Sequence, residues 1–283
     1  MSTLQDYLNA TRRLLHDALG RYYTDLDLKF YINSACSRAV ADSTCYRVLQ
    51  TVYLSTGLEQ YAYGGVTGAL VSAGGSGYTN ASTVTFSAPQ TAGGTTATGT
   101  LVVTGGAVVD LLITNVGSGY TAAPTLIFSG PGSAASLTPS ILNPNTLDVM
   151  NITLDWGQTR VILDRKSFTE FQASVRAWIG YQQRPGICAS YGQSNWFIGP
   201  LPDQTYVSEW DTLLVPPTLV SATDISVINY PYSDPVPFYA AHIAKLNEQS
   251  FSESEQFLQL YQQKMRYAIR STMMRKLSSA YGS

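Results

Sequence analysis

Two copies of one phrase, Gly75-Ser76-Gly77-Tyr78-Thr79 and Gly117-Ser118-Gly119-Tyr120-Thr121, lie 42 residues apart, and a phenylalanine (Phe86, Phe128) follows each tyrosine at the same distance. A repeat of this length is one supersecondary unit written twice, and it constrains the fold more than any other feature of the chain. The same stretch is almost without charge. Between Gly64 and Leu147 the sequence carries a single charged side chain, Asp110, whereas charged residues are spread along the chain on both sides. Segments rich in Val, Leu, Ile, Thr and Phe (residues 82–86, 100–104, 108–114 and 125–128) alternate with Gly-Gly and Gly-Ser-Gly turns, and 15 of the 23 glycines fall here. Such turns reach positive φ without steric cost, so the stretch predicts compact β hairpins. Residues 64–140 are therefore expected to be an inserted β-repeat domain.

Tyr78 and Tyr120 occupy equivalent places in the two copies. Two readings apply to them: rings packed over the neighbouring glycine turn, or exposed rings that contact fibres or stack on sugars. A phosphate cradle is disfavoured, because the stretch has no helix signal and no basic residue.

Outside the insert the periodicity alternates between helix and strand. Leu4, Leu8, Leu15 and Leu19 share one face of an expected helix over residues 4–19, and Thr24 with Asp27 opens a second one bearing Leu28, Ile32, Ala35 and Ala39. Alternation predicts strands at 47–55, 59–63, 195–199 and 204–215, and a hairpin of 147–154 with 159–163 around Trp156-Gly157. Helical spacing returns at 167–178 and 238–249, and a Ser252-x-x-Glu255 capping box opens a last helix. The expected fold class is α+β: a helical core of the amino-terminal helix hairpin and the carboxyl-terminal helices, a small mostly antiparallel sheet, and an inserted all-β domain. Residues 1–63 and 141–283 would make one discontinuous core domain, and residues 264–283 a basic tail.

Composition excludes several function classes. A net charge of −2 leaves no global field to gather nucleic acid or anionic membrane. Neither a basic leader nor a run of about 18 apolar residues is present, which predicts a chain made and kept in the cytosol, off the membrane. Cys36, Cys45 and Cys188 are odd in number and lack a C-x-x-C pair, so reduced, packed thiols are expected. His16 and His242 each fall within an expected helix with no metal-ligand spacing around them, and Asp148, Asp155, Asp164 and Glu170 are scattered over strands and turns. The expectation is no catalytic residue, no metal and no cofactor. After Glu255, the last acid, come Lys264, Arg266, Arg270, Arg275 and Lys276. They either complement the negative end of a helix dipole or form a docking tail.

With the insert set aside, the order of elements resembles the head-to-tail adaptor (connector) proteins of short-tailed bacteriophages. The likeness rests on Tyr23-Thr24-Asp25-x-x-Leu28-x-x-Tyr31-Ile32-Asn33, on Leu147-Asp148-Val149-x-x-Ile152-Thr153-Leu154 with Arg160, and on Phe168-x-x-Phe171 with Pro185-Gly186 and Tyr191. It continues in Ile198-Gly199-Pro200-x-Pro202-Asp203-x-x-Tyr206 and in Pro235-x-Pro237-x-Tyr239-Ala240-Ala241-x-Ile243-Ala244. The insert departs from that pattern. The resemblance implies a non-enzymatic virion protein assembled in the host cytoplasm, a ring of twelve copies between portal and tail nozzle, through which genome DNA passes without specific binding. It also implies that Lys264, Arg266, Arg270, Arg275 and Lys276 dock on the portal and that the insert, through Tyr78 and Tyr120, projects outward toward tail fibres. The competing reading is a carbohydrate-binding or adhesion module of a phage tail, with the repeat as its working part.

Overall fold

The computed structural model describes residues 2–178 and 180–272. Its chain divides into two units, Met1–Arg47 with Val215–Ser283, and Val48–Leu214. The first holds the long helices α1 (Leu4–Leu14), α2 (Asp25–Ser43), α4 (Val236–Asn247) and α5 (Phe251–Thr272). Thr3 and Asp6 cap α1 reciprocally: the Thr3 Oγ1 accepts the Asp6 N–H at 3.2 Å and the Asp6 carboxylate accepts the Thr3 N–H at 2.8 Å. Helix α4 turns Ala240, Ala241 and Ala244 inward, and these small side chains let α1, α2 and α5 pack closely on it. The inward face of α5 is Tyr261, Met265 and Ala268.

Fourteen strands occupy the rest of the described chain: β1 (Arg47–Leu54), β2 (Gln60–Ala62), β3 (Val66–Ser76), β4 (Thr83–Phe86), β5 (Thr98–Thr104), β6 (Ala107–Asn115), β7 (Leu126–Ser129) and β8 (Ser133–Ile141), then β9 (Thr146–Trp156), β10 (Thr159–Ile162), β11 (Asp164–Arg165), β12 (Ile187–Tyr191), β13 (Asn195–Gly199) and β14 (Tyr206–Leu214). Among the described residues, strand exceeds helix, 36% against 27%. The expected α+β fold built on a helical core with one small sheet is overturned on that ground: the described chain is strand-rich, in several small sheets. Four strands escaped the periodicity for physical reasons. β3 and β8 are built of Gly, Ala, Ser and Thr with few large apolar side chains, and β8 contains Pro139, tolerated because the β3–β8 sheet is only two strands wide. β11 has two residues, and β12 follows Pro185-Gly186, which reads as a turn.

Two four-stranded sheets, ordered β1-β14-β9-β10 and β11-β12-β13-β2, share one apolar core. Val52, Ile152, Leu154 and Trp210 come from the first; Tyr61, Cys188, Trp196 and Ile198 come from the second. Trp196 and Trp210 meet edge-on at 6.1 Å. The expected helix at 167–178 is a single turn, α3 (Phe168–Phe171), that widens into a π-turn over Gln172–Arg176. Ser174 Oγ donates to the Glu170 carbonyl at 2.7 Å, a side-chain bond of the kind that bends helices.

The repeat folds by exchange. β3 pairs with β8, β5 with β6, and β4 with β7, so every strand of the first copy is bonded to a strand of the second. Thr85 sits opposite Ile127, its own counterpart 42 residues on, which marks a local two-fold axis at that pair. Tyr78 N–H donates to Gly106 O at 2.9 Å, and Tyr120 N–H donates to Gly64 O at 2.9 Å, the same bond made from the other side. The β-bulges also coincide: Thr67 and Ser72 are unpaired on β3, and their counterparts Val109 and Thr114 are unpaired on β6.

The copies diverge where they meet the flanking strands. At Gly68 a Cβ would lie 2.6 Å from Tyr53 O, so a glycine is what lets β1 approach there. Its counterpart is Asp110, the lone charge, whose carboxylate accepts from Thr56 Oγ1 at 2.6 Å and from Thr205 Oγ1 at 2.7 Å. Ser140 Oγ accepts the Tyr53 N–H at 2.8 Å. The insert is thus bonded into the Val48–Leu214 unit along both copies.

Candidate functional site

The residues between α1 and α2 form a corner closed by side-chain bonds to the backbone. The Asp17 side chain is almost wholly buried and accepts three backbone N–H bonds, from Arg21 at 2.8 Å, Tyr22 at 3.2 Å and Tyr23 at 3.0 Å. Arg12 clamps it from the other side, donating to Asp17 Oδ2 at 3.2 Å, to the Tyr23 carbonyl at 3.1 Å and to Asp25 Oδ1 at 2.7 Å. Burial pushes the Asp17 carboxyl up, but the three N–H bonds and Arg12 together outweigh it and hold the group below its usual value. What this scaffold displays is apolar. Leu19 is 77% exposed, Tyr22 83%, Leu26 78% and Phe30 68%.

Leu26 and Phe30 stand one turn apart on the outer face of α2, while Leu28 and Ile32 on the inner face are fully buried. A helix apolar on both faces has more apolar surface than its own unit covers. Leu19 had been expected on the buried face of a longer α1. That helix ends at Leu14, so Leu19 falls in the corner instead. The signal that could have found the site was the second apolar stripe of α2.

Several of the residues that carry the resemblance are bonded within the fold. Asn33 Oδ1 accepts the Leu219 N–H at 2.8 Å and its Nδ2 donates to the Leu219 carbonyl at 3.0 Å, a side-chain pair that ties α2 to the returning chain. Tyr31 Oη accepts from Asn247 Nδ2 at 2.8 Å, and Tyr23 Oη donates to Glu248 Oε1. In the β unit, Tyr206 Oη donates to Asp203 Oδ1 at 2.8 Å. These motif residues are fasteners of the fold.

On α5, Lys264 is engaged: its Nζ donates to Asp234 Oδ2 at 2.6 Å and lies 4.9 Å over the Phe238 ring. Arg266 and Arg270 are exposed, with Tyr267 beside them 68% exposed. Arg275 and Lys276 lie outside the described residues. Helix α5 begins at Phe251, so Ser252 sits inside its first turn.

Tyr78 and Tyr120 are interior groups, 5% and 0% exposed, so neither ring offers a surface to a fibre or a sugar. Tyr120 Oη accepts the Ala97 N–H and donates to the Ser87 carbonyl, both at 3.0 Å. Tyr78 Oη accepts the equivalent N–H, that of Ala135, at 3.4 Å, and its ring covers Gly132. Each tyrosine therefore reaches across to the third strand of the other copy.

Chemistry-bearing groups are dispersed. His16 lies beyond the end of α1 with φ of 55°, not within a helix as expected. His242 Nδ1 is 2.8 Å from Ser254 Oγ, but Ser254 is 2% exposed and also donates to the His242 carbonyl at 3.1 Å, the work of a helix-helix fastener. Asp148 lies 3.6 Å from Arg165, Asp164 pairs with Lys166 at 2.8 Å, Glu170 caps α3, and Asp155 sits opposite Arg160. Cys36, Cys45 and Cys188 are free, and burial pushes the Cys36 and Cys188 thiols up to about 12. Among the described residues no group of three or more His, Cys, Asp or Glu side chains could hold a metal ion, and no helix is long and apolar enough to cross a membrane.

No protein-family model matches the chain, and no curated protein matches it.

Proposed function

We propose that the chain is a structural subunit of a phage head-to-tail junction, an adaptor that forms a ring between portal and tail nozzle and leaves a channel for genome DNA. The observation that carries this reading is the α1–α2 corner, where a buried aspartate bonded to a half-buried arginine fixes the turn that leaves Leu19, Tyr22, Leu26 and Phe30 in solvent. A surface ordered before binding loses little entropy on association, and four large apolar side chains left exposed on and beside one turn call for a protein partner. The resemblance in residues 23–33 and 235–244 makes that partner a neighbouring copy. Twelve copies, a place in the virion and assembly in the host cytoplasm follow from the same resemblance. Docking on the portal falls to Arg266 and Arg270 and to the chain that follows them, Lys264 being occupied by Asp234.

The test is electron microscopy of the purified protein with its cognate portal, for the wild type and for Leu26→Asp combined with Phe30→Asp. Both side chains are exposed, so the variant keeps its fold. Stacked annular particles for the wild type and single subunits for the variant are expected. Rings formed equally by both would remove the corner from the interface.

A further inference from the structure

The exposed aromatic side chains of the Val48–Leu214 unit lie outside the repeat. Trp178 is 71% exposed and Tyr181 50%, and both border a groove of about 650 Å³ that also takes in Glu59, Gln172, Arg176 and Gly199. That volume is within the range of small-ligand sites. Three of the polar groups of the groove have partners. Arg176 Nε is ion-paired with Glu59 Oε1 at 3.3 Å, and the guanidinium lies 5.3 Å over the Phe197 ring. Tyr181 Oη donates to Gln183 Oε1 at 2.8 Å, which orients its ring.

We infer that this groove binds a neutral oligosaccharide, with Trp178 and Tyr181 as stacking platforms and the Arg176–Glu59 pair with Gln172 as the hydrogen-bonding set. A pyranose ring has an apolar C–H face and a rim of hydroxyls. The C–H face suits the electron-rich face of an indole or phenol, and each hydroxyl both donates and accepts. An arginine paired with a glutamate supplies donors and acceptors side by side with no net charge. That pairing argues against the two other ligands that use aromatic platforms. A nucleic acid requires unpaired cations for its phosphates, and Glu59 repels them. An acidic polysaccharide meets the same carboxylate. The inference is independent of the adaptor reading, because it concerns a different unit and a readout other than assembly.

The experiment uses the full chain on an array holding cellohexaose, dextran and maltoheptaose as neutral probes, polygalacturonate as the acidic one, an oligothymidylate, and an unrelated peptide set. Tryptophan fluorescence titration with whichever neutral probe is retained then gives its affinity. Retention of a neutral oligosaccharide is expected, with Trp178→Ala weakening it by about tenfold or more and Tyr181→Ala by less. Trp156→Ala, an exposed tryptophan away from the groove and stacked under Arg184, should leave binding unchanged. Circular dichroism of each variant checks the fold. No neutral probe retained, preferential retention of polygalacturonate, oligothymidylate or peptide, or unaltered binding by Trp178→Ala would each overturn the assignment.

Discussion

The helical unit and the exchanged repeat are closed by opposite means. In the helical unit, two stretches of chain separated by the whole β unit are joined by polar side chains: Asn33 on Leu219, Tyr31 on Asn247, Tyr23 on Glu248. In the repeat, closure depends on side chains that are missing. Gly75 and its counterpart Gly117 have φ of +65° and +66°, and a Cβ would lie 2.2 Å from Ser133 O at the first and 2.5 Å from Thr95 O at the second. The comparison teaches why the repeat is nearly free of charge while the helical unit is not. Where backbones meet directly, a charged side chain has no role, and the lone exception, Asp110, is spent on bonds to Thr56 and Thr205 outside the insert.

The strongest test of that contrast is Gly75→Ala or Gly117→Ala. Each forces a methyl group onto a carbonyl in a left-handed conformation and is expected to destabilise by about 3 kcal/mol or more. Gly105→Ala has φ of +62° but nothing within 4 Å of its Cβ, and should cost only about 1 kcal/mol. Equal losses of melting temperature for Gly117→Ala and Gly105→Ala would show that backbone crowding is not what closes the repeat. The matching test in the helical unit is Asn33→Ala. It leaves both polar groups of Leu219 without this partner and should cost about 2 kcal/mol by denaturant unfolding.

A finer comparison lies inside the repeat. Tyr120→Phe removes two bonds of 3.0 Å from a fully buried hydroxyl and is expected to cost about 2 kcal/mol. Tyr78→Phe removes only a 3.4 Å contact to Ala135 N–H and should cost under about 1 kcal/mol. Thermal unfolding of the two variants side by side ranks them, and the reverse order would contradict the asymmetry.

The smallest effect concerns pH. The Asp17 carboxyl is depressed, so its stabilising contribution is complete above the ordinary value of 3.8 and is lost as pH falls from there through the folded-state value. Asp17→Asn should therefore show a shallower fall in melting temperature below about pH 4 than the wild type. Parallel acid limbs for the two proteins would remove Asp17 from the corner's electrostatics.

Local pattern made much of this architecture legible. The helices at Leu4, Asp25 and Val236, the Trp156-Gly157 hairpin and the strands at Asn195 and Tyr206 each follow from periodicity and turn chemistry. The duplication was visible in the glycine phrases, but not its consequence. Whether β3 pairs within its own copy or with β8 is a non-local choice that alternation cannot encode, and β3 itself lacks the large side chains that announce a strand. The corner was misread for a related reason. Counting leucines at helical spacing assigns Leu19 to a core, whereas the Asp17 bonds turn the chain out of the helix before that residue. Burial of Tyr78 and Tyr120 likewise depends on which strand crosses them.

We propose that another copy of the chain covers the α1–α2 corner in the assembled particle. Hydroxyl-radical footprinting of dilute subunits against assembled particles measures that directly, one side chain at a time. Leu19, Tyr22, Leu26 and Phe30 should be reactive in the dilute protein and lose that reactivity together on assembly. Undiminished reactivity of these four in intact particles would contradict the account.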